Sequence, residues 1–128
     1  MQEPTWLREA VILALHRLQL EEHGGLEGIR DSGLLQSALA RPKNLWALSE
    51  TKPDFGALAA AYAFGISRNH PFLDGNKRTA LVAARTFLRV NGKDLLASQE
   101  EKYLTFLRLA DGGVSEDELA AWIRARLR

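Results

Sequence analysis

A chain of 128 residues with a net charge of +1 and no cysteine is large enough for one core, here read as a single domain over 1–128, and has neither a disulfide framework nor a thiolate metal site. The near-neutral balance gives no argument for nucleic acid, and the longest apolar stretch, around 57–66, is too short to span a bilayer. With no signal peptide readable at the N-terminus, a soluble cytoplasmic protein is expected.

The hydrophobic period is helical nearly everywhere. Trp6, Leu7, Ala10, Val11, Ala14, Leu15 and Leu18 recur at three- and four-residue steps, which predicts a helix from about Thr5 to Glu22, ended by Gly24-Gly25. Residues 26–32 read as loop. Asp31 or Ser32 can then cap a short helix through Leu34, Leu35, Ala38 and Leu39 that stops before Pro42. Residues 43–53 read as irregular, with Leu45, Trp46 and Leu48 turned inward. From Asp54, the run Leu58, Ala59, Ala61, Tyr62, Phe64 and Ile66 is apolar on almost every side, the pattern of a buried central helix.

A further helix is predicted from Asn76 to Val90, ended by Asn91-Gly92. Ser98 with Glu101, and Ser115 with Glu118, read as capping boxes of two last helices, and only residues 93–97 read as extended. The expected fold is therefore all-α, a bundle of about six helices.

The stretch from Asn69 to Ala80, NHPFLDGNKRTA, departs from this pattern. Pro71 should push His70 towards an extended backbone and end the central helix. Gly75 lets the turn tighten, so a helix opens near Asn76 with unpaired N–H groups, and Lys77 and Arg78 add positive charge to that anion site. A phosphate-binding helix start, with a base and a carboxylate on its approach loop, suits phosphoryl or nucleotidyl transfer. A loop cap would need one polar side chain, not five different ones in order.

These residues resemble the signature of the Fic/Doc superfamily, H-[PX]-F-x-[DE]-G-N-[GK]-R, with every position filled from His70 to Arg78. Lys77, where the Fic branch usually has glycine, resembles the death-on-curing (Doc) branch. The likeness extends more loosely back to Gly24, through Gly28-Ile29-Arg30-Asp31 and on to Pro42, where Ile29, Arg30 and Asp31 look like part of a target-docking flap. It implies His70 as general base, Asp74 as the Mg²⁺ carboxylate, and Gly75 and Asn76 as the lining of the anion hole. Lys77 and Arg78 would hold phosphate, and Phe72 would anchor the loop in the core.

Lys77 selects the reaction on this reading. A glycine would admit a nucleotide phosphate deep in the hole and lead to AMP transfer, whereas lysine fills that space and favours transfer of the γ-phosphoryl group of ATP. The resemblance thus implies a toxin kinase that modifies a host protein hydroxyl, a threonine of elongation factor Tu, and a small antitoxin that restrains it. An AMP transferase and a catalytically idle binding module are the alternatives. The inhibitory pattern [ST]-x-x-x-E-[GN] of many Fic proteins has no match, since His23 stands where its Ser or Thr should precede Glu27-Gly28. His16 and His23 read as structural histidines, and Arg85 and Arg89, near the face of Arg78, as solvated.

Overall fold

The computed structural model describes residues 1–128 and contains six helices and no sheet. They are α1 (Glu9–His23), α2 (Ser32–Leu48), α3 (Phe55–Asn69), α4 (Asn76–Val90), α5 (Gln99–Ala110) and α6 (Glu116–Arg124). The all-α expectation holds. Helix α3 lies at the centre and packs on α2, α4, α5 and α6, while α1 covers α4. Its nine buried residues include Ala59, Ala60, Ala61 and Ala63, whose small side chains let neighbours approach from several directions.

The aromatic part of the core centres on Phe87, which stacks on Trp6 at 5.9 Å and lies 5.0 Å from Tyr62. The Tyr62 hydroxyl accepts from Leu7 N at 2.9 Å, and burial pushes its pKa up to about 12. That bond, with Thr5 N donating to Asn91 at 2.8 Å, holds residues 5–8 against the core. Helix α1 consequently opens at Glu9, later than the apolar period suggests, because the Thr5 N–H and C=O and the Leu7 N–H are bonded to other parts of the chain.

The proline expectation fails. Helix α2 continues through Pro42, which is buried. Pro42 cannot donate to the carbonyl four residues back, that of Ala38. Gly65 of α3 lies against the same carbonyl, and a Cβ there would sit 3.2 Å from both Ala38 Cα and Ala38 O. The helix is stabilised by this close packing on α3, which offsets the lost hydrogen bond. Leu45 and Trp46 pack on the core as expected, but Leu48, at the end of the extra turns, is 84% exposed.

The remaining caps follow the sequence closely. Asp31 accepts from Leu34 N at 3.0 Å, and Ser115 with Glu118 forms a complete capping box. Ser98 accepts from Glu101 N at 3.1 Å, but the Glu101 side chain turns to the Ser98 hydroxyl at 3.4 Å, so that box is half made. Residues 93–97 form one antiparallel bridge, Leu95 to Leu127, beyond the end of α6.

Candidate active site

The motif loop runs from His70 to Gly75 and joins the two most buried helices, α3 and α4. Phe72 fixes it to the core: the ring is fully buried and stacks on His16 at 3.8 Å. Burial of one such ring is worth about 1.5–3 kcal/mol. His16 also donates from Nε2 to the Asp74 carbonyl at 2.8 Å. It is structural, as expected, but it is buried beneath the motif loop and forms part of its support.

A second support comes from residues 28–31. Arg30 N and Asp31 N donate to Pro71 O at 2.7 and 3.1 Å, and Leu73 N donates to Gly28 O at 3.1 Å. The Arg30 side chain donates to His70 O at 2.7 Å and to Asn69 O at 2.8 Å. This segment grips the motif loop.

His70 adopts φ 52° and ψ 54°, the one left-handed residue in the chain that is not glycine. The expected extended backbone is therefore corrected. His70 caps α3, donating its N–H to Ile66 O at 3.1 Å, and takes the left-handed conformation in which many helices end. Such a conformation in a non-glycine residue costs about 1–3 kcal/mol and persists where the surroundings dictate it, here through Arg30 and Phe72.

Asn76 is 3% exposed and spends its amide inside the loop. Its Oδ1 accepts from Phe72 N at 3.0 Å and its Nδ2 donates to Phe72 O at 2.9 Å, which fixes the amide orientation. The same Nδ2 lies 3.2 Å from His70 Nδ1. Since an amide nitrogen only donates, Nδ1 accepts, and the neutral ring carries its proton on Nε2. Base work at either nitrogen then requires the Asn76 contact to be given up.

Asp74 is exposed, with Oδ1 accepting from Gly75 N at 2.9 Å and Oδ2 from Leu26 N at 3.2 Å. Gly25, at φ 128°, makes room for it: a Cβ there would lie 2.9 Å from Asp74 Oδ2. The N–H of Gly75 is thus occupied by a carboxylate. The N–H groups of Asn76, Lys77 and Arg78 have no acceptor in the chain, because the first bond of this helix end is Thr79 N to Gly75 O at 3.0 Å. Three adjacent open donors at a helix N-terminus form a ready anion site.

Lys77 is exposed, with its ammonium 3.7 Å from Asp111. Arg78 donates to His23 Nε2 at 3.2 Å, and its guanidinium lies 4.8 Å above the Tyr103 ring. Arg85 and Arg89 both reach Asp94, at 3.2 and 4.0 Å, so they form a local ion-pair cluster on this face. The Arg85 hydrogen bond and the Leu95 N–H hold the Asp94 carboxyl below the usual range.

The motif residues line one open cleft of about 520 Å³, which Arg85, Arg89 and Asp94 do not border. His70, Asp74, Gly75, Asn76, Lys77 and Arg78 all border it, and every site residue expected from the sequence is brought together there. Sequence reasoning missed Gln19, His23 and Tyr103, which close the cleft from α1 and α5. They are remote from the motif in sequence, and no local pattern marks them.

A family profile described as Fic/DOC family matches residues 6–88. The chain belongs to the Fic/Doc family. Among curated relatives it is similar to the protein named Protein kinase doc of Escherichia phage P1, 35% identical over 113 residues that cover 88% of each chain. It is also similar to the protein named Toxin Doc of Mycolicibacterium smegmatis, 46% identical over 74 residues, covering 58% of this chain and 57% of that one. The matched Fic/Doc region contains α1 to most of α4 and thus the whole motif loop; Tyr103 lies outside it.

Proposed function

We propose that this chain is a Doc-type toxin that transfers the γ-phosphoryl group of ATP to a hydroxyl of a host protein. The observation that carries the reading is the convergence, in one cleft, of an imidazole, a carboxylate, three open N–H groups and two cations. The similarity to a protein named as a kinase over most of both chains supports the choice of reaction.

His70 accepts the proton of the attacking hydroxyl, the new O–P bond forms, and ADP leaves with the electrons of the broken P–O bond. The open N–H groups of Asn76, Lys77 and Arg78, together with the two side-chain charges, neutralise phosphate oxygens as charge redistributes. Asp74 fits a divalent cation: its carboxylate faces the cleft, and backbone N–H groups alone engage it, so lone pairs remain. Mg²⁺ held by Asp74 and the nucleotide would supply charge neutralisation, and a single protein carboxylate suffices when phosphates complete the shell.

Elongation factor Tu, modified at a threonine, is the proposed target, which puts the activity in the host cytoplasm. A small antitoxin is the proposed restraint. Arg78 rests on a histidine and an aromatic ring, with no carboxylate within ion-pair distance, which supports control from outside the chain. One observation favours AMP transfer instead: the Lys77 ammonium turns towards Asp111 and so leaves room in the cleft.

The test uses γ-labelled and α-labelled ATP with candidate targets, and the variants His70→Ala and Asp74→Ala. Both side chains are exposed, so both variants should keep the helical circular dichroism spectrum. His70→Ala should lower γ-label transfer by about 100-fold or more. Folded variants with undiminished transfer would reject the assignment, and transfer of α-label would select the AMP reading.

A further inference from the structure

A second cavity, of about 370 Å³, adjoins the cleft and shares Gln19, His23 and Arg78 with it. Its other walls bring Arg85 of α4 and Lys102 of α5 to the same space, above Leu81 and Val82. Lys102 is unusual. It is 7% exposed, yet it has no hydrogen-bond or ion-pair partner in the chain.

Asp94, the acid whose charge it feels, is already engaged by Arg85 and Arg89. Desolvation, followed by Arg85, pushes the Lys102 ammonium below the usual lysine range, and Asp94 opposes them. The one carboxylate on the cavity wall, Glu22, is 67% exposed and lies 3.5 Å from His23.

An ammonium that is partly desolvated and has no counter-charge of its own is destabilised, and an anion entering the cavity relieves this. Three cations from two helices border this space: Arg78, Arg85 and Lys102. Hydrogen-bonding side chains flank them, Gln19 from α1 and Gln99 from α5. Because Arg78 borders both cavities, a molecule with one anionic group in the cleft can place a second group beside Lys102.

We propose that this cavity is a second oxyanion subsite, built for a phosphate or carboxylate group, with Lys102 as its deciding cation. The shared chemistry is an oxyanion with charge-assisted hydrogen bonds. Its two possible sources are a phosphate of the nucleotide and an acidic side chain of the modified protein.

The experiment is amide NMR of the full chain titrated with inorganic phosphate, in the wild type, Lys102→Met and Lys102→Arg. Phosphate should shift the amides of Gln99 to Tyr103 in the wild type, and Lys102→Arg should keep that response. Lys102→Met should weaken it by about tenfold or more, while amides 76–78 respond as before. On wild type alone, phosphate should also raise the pKa read at Lys102 Nζ, which guards against a variant that fails to fold.

A phosphate response confined to residues 74–78, or one unchanged in Lys102→Met, would overturn the proposal. ATP and N-acetylglutamate form the two further arms. A shift at 99–103 with ATP assigns the subsite to the nucleotide, and one with N-acetylglutamate on the ATP-saturated protein assigns it to the substrate. The phosphate result stands whether or not the kinase reading does, so the two can fail separately.

Discussion

Replacing Asn76 by alanine removes the one side chain that joins the start of α4 to the middle of the motif loop. Two backbone groups lose their partner, Phe72 N–H at 3.0 Å and Phe72 C=O at 2.9 Å, and the residue that carries them is fully buried. Each buried group left unsatisfied costs about 1–3 kcal/mol, so the pair should cost about 2–6 kcal/mol of folding stability. The His70 contact at 3.2 Å adds little, because it is long and the ring is exposed. Urea denaturation of Asn76→Ala measures the loss, and hydrogen exchange at the Phe72 amide locates it. Thr79→Val is the control of opposite sign in the same helical turn. The Thr79 hydroxyl is fully buried without a partner, so its replacement by a methyl should be neutral or stabilising by about 1 kcal/mol. A loss below about 0.5 kcal/mol for Asn76→Ala would show that water or loop rearrangement rescues Phe72, and would refute the role given to Asn76.

Three further outcomes are expected. Lys77→Gly should slow phosphoryl transfer and admit AMP transfer, read by mass spectrometry of the treated target; an unchanged phosphorylation rate would place the Lys77 charge outside the reaction. Gly25→Ala puts a side chain at φ 128° and 2.9 Å from Asp74 Oδ2, so it should raise the Mg²⁺ concentration needed for half-maximal activity; an unchanged Mg²⁺ dependence would reject Asp74 as the metal carboxylate. The Arg124 hydrogen bond holds the Asp54 carboxyl below its ordinary value, so this pair's stabilisation is present above about pH 4 and is lost as pH falls through the folded-state pKa. Asp54→Asn keeps a helix cap but should make the acid limb of the stability profile shallower, which denaturation at stepped pH would show.

The local patterns carried most of the fold. The buried face of α3, the Asp31 cap, the Ser115–Glu118 box and the glycine that ends each of α1 and α4 are all signals within a few residues of their effect. Pro42 misled because its tolerance depends on Gly65, which packs against Ala38 from another helix. The left-handed turn at His70 misled for a similar reason: Pro71 argues locally for an extended backbone, while Arg30 and Phe72 impose the cap from outside. The cleft was half legible. His70, Asp74 and the α4 N-terminus lie within one run, but His16, His23 and Tyr103 reach the site only through helix packing. Nothing adjacent to Arg78 in sequence indicates that its guanidinium rests on Tyr103 and His23. Lys102 was hidden too, since a lysine in a charged helix start reads as solvent-exposed, whereas the folded residue is 7% exposed.

Intact-mass analysis of elongation factor Tu after incubation with the chain, ATP and Mg²⁺ tests the central claim most directly. Addition of one phosphoryl group, absent with His70→Ala, is the predicted result. Addition of AMP, or an unmodified protein under conditions where the wild-type chain is folded and binds ATP, would contradict it.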